Sequence, residues 1–526
     1  MKNWLFASVA AIAVLGACGG DKGEAAAGAA GQEITVGDVK VAGLQLRSGD
    51  ASKAGDALTA MSLSASDDGR VGFADKTLNG ADATFNDVSI SVADSETPVN
   101  AGALTFKGLD MTGAGATFSQ MTLSDISVTP ADEDGELNVG SVQLTNPSPE
   151  LAAWVAGLMG EGDAPFPSFD KLSFDGFSMD GLTFNADGID ELETFDISKI
   201  DFRNVSDEGV GSIVFKGLNM VGEDDGQPIN VALGSVAMTG LGGPMMDIIA
   251  ASFQAGATGE DPEELIEDIL SKGFSVGDPG YDNFTLENFV LDAAGLGINM
   301  PSMDAVVTRD NQGRATRTVT KPFNFSVSAD PEGEVGAQLA GPLAIMGYET
   351  LNFSGEGDSR MDPDTDTISY DSKSNWIALD DGFKLSWGAS ATGASELMKQ
   401  LAANPDDEAQ LLEGLSKLTM QRMDINFQDN SIVEKGFAMA AAMSGQDPAA
   451  MKSQAVAGVA FLPLMAGQAG IDAELAAELG GALSKFLNDS GTLSISIDPT
   501  EPVSAADFED PSSLTKDRLG FSASVK

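Results

Sequence analysis

The chain contains no histidine and one cysteine, Cys18, in 526 residues. Without histidine there is no Ser-His-Asp or Cys-His catalysis, no His-ligated metal and no imidazole pH switch. Without a second cysteine there is no disulfide within the chain. Cations are scarce as well: 29 Lys and Arg face 80 Asp and Glu, a net charge of −51. Nucleic acid, which is bound through a basic footprint, is therefore excluded as a partner. Such acidity favours solubility and reflects either a saline habitat or cation binding. Past the N-terminus there is no unbroken apolar run of about 20 residues, the length of a membrane-spanning helix. The stretch AAMKSQAVAGVAFLPLMAGQAGI comes nearest, and Lys452 and Pro463 interrupt it.

Lys2 and the uncharged apolar run from Leu5 to Leu15 have the order of an export signal. Leu15-Gly16-Ala17-Cys18 follows, an aliphatic residue and two small ones before the thiol. This resembles the bacterial lipobox. The resemblance implies cleavage before Cys18 and acylation of its sulfur and new amino group, which exceeds the two-signal threshold for stable anchoring. Gly19, rather than Asp, at the next position implies sorting to the outer membrane, with the body on its periplasmic face. Residues 19–32 are small and polar, a tether with a reach of roughly 20 Å.

What is abundant is the short strand. LTFKGLDM (104–111) and IVFKGLNM (213–220) are near copies, with looser versions at 83–90, 121–128, 172–179 and 284–291. Apolar residues alternate, a central Gly, Asn or Asp interrupts, and alternation resumes, which predicts strands with one buried face and a bulge or bend in each. Asn79-Gly80, Asp134-Gly135, Asp225-Gly226 and Asp381-Gly382 are hairpin signals. A longer repeat pairs a Gly-Ser-Val strand with a helix, at 139–162 and 233–256, and a third version is expected from 393 to 427. Ser148-Pro149-Glu150 and Asp447-Pro448 are helix starts.

The expected fold is β-rich α+β, with long twisted antiparallel sheets, helices packed on one face and a more helical C-terminal part. The expected divisions are a signal peptide at 1–17, the acylated cysteine and tether at 18–33, and a strand-rich region with two strand–helix–strand units at 34–320. A third unit with the helix-rich region follows at 321–508, then an extended tail or small edge strand at 509–526.

Three sets of candidate residues stand out. Asp362, Asp364 and Asp366 alternate like the start of a calcium loop, but Thr367 replaces the turn glycine and Lys373 the bidentate acid. A solvated hairpin loop is the favoured reading, calcium binding the alternative. Arg309, Arg314, Arg317 and Lys321 surround Asp310 as a local cluster of cations, either a charged edge strand that resists aggregation or a contact for an anionic partner. Ser168/Lys171 and Ser513/Lys516 have the spacing of Ser-Lys nucleophiles without the companion motifs. No catalytic set and no cofactor is expected. The 21 Met and 27 Phe suit either gap-filling in a core or an adaptable ligand surface.

The repeated strand–Gly/Asn–strand unit resembles the extended β-rich periplasmic proteins of the YdgA-type and AsmA-like families. That resemblance implies lipid transport or envelope homeostasis and carries no site residue with it. The expected function is a non-enzymatic outer-membrane lipoprotein that binds or shuttles a hydrophobic ligand or supports envelope assembly. The alternative is a structural or interaction protein with a filled core. A hydrolase that needs no histidine is a third reading.

Overall fold

The computed structural model describes residues 33–526, except 38, 67–68, 92–97, 114, 129–135, 161–166, 186–191, 225, 244, 247–277, 396–416, 469–470, 505–506 and 508–512. Cys18 and its neighbours Leu15, Gly16, Ala17 and Gly19 lie outside the described residues. So do Asp134-Gly135 and most of the helices expected near 244–256 and 393–401. The chain forms two compact units, residues 1–270 with 280–290 and residues 271–279 with 291–526. Each is strand-rich and antiparallel.

Unit 1 opens with the small hairpin β1 (Ile34–Val36) and β2 (Val39–Val41), then helix α1 (Ala54–Ala60). Its main sheet begins with β3 (Val71–Gly72), β4 (Asp75–Asn79), β5 (Asp82–Ile90) and β6 (Val99–Lys107). A side hairpin of β7 (Asp110–Thr112) and β8 (Gly115–Thr117) intervenes before β9 (Gln120–Val128) and β10 (Glu136–Thr145). Helix α2 (Pro149–Met159) precedes β11 (Phe174–Asn185), β12 (Leu192–Ser206), β13 (Gly209–Asp224) and β14 (Gln227–Leu241). From β5 to β14 the pairing is an antiparallel meander with only the side hairpin left out.

The repeats explain how this sheet bends. One transverse row, Phe85–Leu104–Leu123–Val142–Met179–Ile200–Phe215–Val236, is apolar across eight paired strands. A second row, Ile126–Val139–Leu182–Ile197–Leu218–Leu233, is also apolar, although Leu123 and Ile126, or Phe215 and Leu218, are three residues apart. Strict alternation would send such residues to opposite faces. Left-handed backbone marks this crossing on alternate strands: Asp125 of β9, Gly181 of β11 and Gly217 of β13 lie between the rows with φ between 59° and 70°.

The neighbours of these bent residues are small because nothing larger fits. A Cβ on Gly102 would meet Asp125 Oδ2 at 2.8 Å, one on Gly140 the Asp180 carbonyl at 2.4 Å, and one on Gly234 the Asn288 Cβ at 3.0 Å. Gly140-Ser141-Val142 therefore lies beside Asp180-Gly181, and Gly234-Ser235-Val236 beside Lys216-Gly217 and Glu287-Asn288. A second bend line lies six residues along, with Gly108, Asn146, Asn204 and Gly240 at positive φ. The copy at 172–179 differs: its Gly176 does not bend but seats Leu44, whose Cδ1 lies 2.2 Å from where a Cβ would stand.

Behind the apolar rows lies one large core cluster, which includes the fully buried Phe85, Leu104, Phe106 and Leu109 and takes Leu58 from α1 and Trp154 from α2. Each such side chain contributes about 1.5–3 kcal/mol. Ser148 caps α2, accepting from the Leu151 N–H at 3.3 Å and donating to the Lys171 carbonyl at 2.9 Å, with Pro149 in the first turn. Strand β15 (Asn283–Ala293) contributes its residues up to Val290, and Ser235 donates to Glu287 at 2.7 Å.

Unit 2 begins with β16 (Leu296–Arg309) and β17 (Ala315–Ala329), then helix α3 (Glu334–Met346) and β18 (Thr350–Asp362). The boundary expected at 320/321 falls inside β17. The strand passes through Lys321-Pro322 at a register shift, where a sheet tolerates a missing N–H. Strands β19 (Thr367–Tyr370) and β20 (Trp376–Leu379) both pair with β18 and with β21 (Phe383–Thr392), sharing one lane of the sheet. Strand β22 (Thr419–Asp429) follows. Then come helices α4 (Ile432–Ser444), α5 (Pro448–Ala460), α6 (Leu462–Gln468) and α7 (Ala473–Asp489). Asp447 caps α5, accepting from the Ala450 N–H at 3.0 Å. Strands β23 (Gly491–Ile497) and β24 (Val503–Ser504) pair with β22. Residues after 513 form a short helix, α8 (Lys516–Leu519), and an edge strand, β25 (Ser522–Val525), paired with β23. Lys516 pairs with Glu478 at 2.7 Å and Glu478 accepts from the Ala523 N–H at 2.9 Å, tying this segment to α7.

Candidate functional site

Strand alternation in unit 2 separates two chemistries cleanly. Gly355, Ile377, Leu385, Phe427, Leu493 and Val525 are successive partners across the sheet, and Trp387, Ile425, Ile495 and Ala523 form the next row. One residue along, Glu356, Trp376, Ser386, Asn426, Ser494 and Ser524 occupy the opposite face. There Trp376 donates its indole N–H to Glu356 at 2.7 Å and Lys384 sits 3.9 Å above its ring.

Two side-chain clusters seal parts of the apolar face. Leu343 of α3 and Tyr348 pack with Leu379, Phe353 and Phe383. Phe486 and Ala482 of α7 pack with Leu493 and Phe427. Phe323, Ile377, Leu385, Trp387, Met423 and Ile425 belong to neither cluster and are only half-buried. Phe323 and Phe325 lie 6.4 Å apart, and Phe325 stacks on Phe353 at 4.8 Å. An apolar strip of aromatic and branched side chains thus continues past its helical cover. Such a surface can hold acyl chains or other water-insoluble groups, because covering it removes apolar area from water. Its signal in the sequence was the plain alternation of 376–392 and 419–427.

The cationic hairpin and the aspartate loop, separate candidates in the sequence, meet in space. Arg314 bridges Asp310 at 2.8 Å and Asp364 at 2.9 Å. Arg309 pairs with Asp278, at 2.9 Å from its Nη2, and Arg317 grips Asp358 with two 2.7 Å bonds. Hydrogen bonds hold down the pKa of two of these partners: Asp358 is lowered chiefly by the Arg317 guanidinium, and Asp310 chiefly by the Arg314 backbone N–H. Lys321 also makes an interaction of its own. Asp362 accepts from the Asp364 N–H at 3.0 Å and Asp366 from the Ser395 N–H at 3.2 Å. Among the described residues no group of three carboxylates is placed to hold a metal ion.

The Ser-Lys spacings do not become dyads. Lys516 is engaged by Glu478, which raises its pKa, the wrong direction for a general base. Ser513 donates instead to the Asp507 carbonyl at 3.4 Å, and the Lys171 N–H caps back onto the Ser168 carbonyl at 2.8 Å.

Unit 1 carries a polar recess of about 390 Å³ on the outer face of its sheet. Its floor is the row Ser141–Asp180–Lys199–Lys216, one residue off the apolar row. Lys199 pairs with Asp180 at 2.7 Å and Ser141 donates to the same carboxylate at 3.0 Å. The segment from Glu33 to Arg47 forms its wall, pinned by Arg203 to the Ala42 carbonyl at 2.6 Å and by Asn146 to the Gln45 carbonyl at 2.7 Å. Arg203 is itself held by Asp201 through bonds of 2.7 and 3.0 Å. Composition alone concealed this strap, because its partners are about 100 or more residues away in sequence.

Comparison with known proteins adds one match. A family model described as "Uncharacterized protein" covers residues 376–526, the part of unit 2 from β20 to the end of the chain. No curated protein and no solved structure matches.

Proposed function

We propose that this chain is a non-enzymatic lipoprotein, anchored through Cys18 in the outer membrane, whose periplasmic body binds or shuttles lipid or another hydrophobic envelope molecule. In this reading helices cover one face of a strand scaffold, and the C-terminal helices leave part of that face for a ligand. The observation that carries it is the half-buried strip of Phe323, Ile377, Leu385, Trp387 and Ile425 beyond the helical cover. Organic extraction and mass spectrometry of residues 33–526, purified without detergent, test it. Co-purified lipid that disappears in a Leu385→Glu/Ile425→Glu variant is the expected result, and lipid-free protein counts against a carrier.

A second reading, a structural or interaction protein with a filled interior, is favoured by one observation in unit 1. There the cluster built on Phe85, Leu104, Leu123 and Val142 is continuously packed, and these residues are at most 2 % exposed. Under that reading the extraction yields no lipid and the apolar strip is covered by a protein partner.

A further inference from the structure

The helices of unit 2 present a second apolar surface, turned to solvent. Among the described residues nine large apolar side chains are exposed, and all but Leu78 lie on or beside α3 to α7. The most exposed are Met443 (76 %), Met465 (63 %), Leu464 (62 %) and Phe461 (60 %). Three of these four crowd the elbow between α5 and α6. Pro463 cannot continue the hydrogen-bond ladder there, and the Leu464 and Met465 N–H groups both turn back to the Phe461 carbonyl at 3.1 Å. Patches of this kind on a soluble body mark a contact surface.

Charge indicates the partner. The chain carries −51, yet α3 to α6 hold only Glu334, Glu434, Lys435 and Lys452, which cancel. Lys435 is occupied by Asp381 at 2.8 Å. A surface of anionic lipid repels most of this molecule but not this layer. The span Pro448–Ala466 is also long and apolar enough to cross a membrane, and none of it is buried. Both α5 and α6 pack along α7, however, and the kink at Pro463 divides them, which favours lying in the interface over spanning.

We propose that the α5–α6 elbow, with Phe461, Leu464 and Met465 at its tip, docks into the headgroup–acyl boundary of a lipid bilayer. This rests on the lipid-handling reading above and gives it a place of exchange with the membrane. The full acylated chain carrying Leu464→Cys, labelled there with an environment-sensitive NBD fluorophore, is reconstituted into phosphatidylethanolamine–phosphatidylglycerol vesicles. The expected result is a blue shift of NBD emission and its quenching by acyl-chain spin-labelled lipid. Both are lost when Phe461→Asp and Met465→Asp are added, and neither occurs for a label at Gln428→Cys. These exposed side chains leave the fold intact, checked by an unchanged thermal melt.

Emission that stays water-like, or quenching equal at 428, overturns the proposal. So does a blue shift that appears without vesicles and grows with protein concentration, which assigns the face to a second copy of the chain. Docking is read from position 464 and ligand binding from extracted lipid, so the two failures are separable. Quenching without co-purified lipid supports the elbow and removes the carrier, and lipid without quenching does the reverse.

Discussion

At the scale of single residues, the bend lines make a sharp claim about glycine. Gly80 (φ 65°) and Gly217 (φ 63°) share a left-handed backbone, but a methyl at Gly80 meets open space whereas at Gly217 it meets Ser198 Oγ at 2.1 Å. Gly80→Ala is expected to cost about 1 kcal/mol, and Gly217→Ala about 3 kcal/mol or more, because overpacking adds to the backbone penalty. Urea denaturation of the two variants checks the difference, and equal losses would mean that the bend does not depend on close approach.

Acid provides a second test at the same scale. Asp507 is held at about 2 by the Ser504 N–H first, then by Arg518 and the Ser504 hydroxyl, against 3.8 in the unfolded chain. A carboxyl whose folded pKa is depressed contributes in full above its unfolded value, and that contribution drains away as pH falls from 3.8 towards about 2. Asp358, Asp310 and Glu478 shift in the same direction. Urea midpoints measured down this range should fall steeply for the native chain and less steeply for Asp507→Asn.

At the scale of elements, the strap from Glu33 to Arg47 depends on a buried ion pair. Arg203 and Asp201 have side chains only 4 % exposed. Arg203→Ala removes the anchor of the strap and leaves a buried carboxylate unpaired, a loss of about 3–5 kcal/mol. Limited proteolysis between residues 37 and 50 should accelerate in that variant and remain slow in Lys216→Ala, whose bond to the Thr35 carbonyl is exposed. Elements were the most legible level in the sequence. The central Gly, Asn and Asp of the strand copies, the caps at Ser148 and Asp447, and the turns at Gly80 and Asp381 all announced themselves, because each is a local requirement of backbone geometry.

What stayed hidden depends on register. Nothing local in Gly140-Ser141-Val142 announces that it faces a left-handed Gly181, and the register shift that lets β17 run through Pro322 is a property of the paired strands. The same holds for the candidate sites. Arg309, Arg314 and Arg317 are a cluster of cations in sequence, but Asp278, Asp358 and Asp364 arrive from elsewhere to meet them. The apolar strip was visible as alternation, whereas its incomplete cover follows from where α3 and α7 pack.

For the molecule as a whole, composition narrows the chemistry more than it names a function. The absence of histidine removes imidazole chemistry, and the anchoring proposed above rests on the lipobox-like Leu15–Cys18. Incorporation of labelled palmitate is expected in the native chain and not in Cys18→Ala, and label that survives the substitution would place the anchor elsewhere. The central claim, that one face of the unit 2 sheet receives a hydrophobic ligand, is tested most directly by two adjacent residues of β22. A photo-crosslinking amino acid is placed at Ile425, on the apolar row, or at Asn426, on the polar face, in the full chain within living cells. Lipid captured at 425 and not at 426 is the expected result, while no lipid at 425, or equal capture at both, would contradict it.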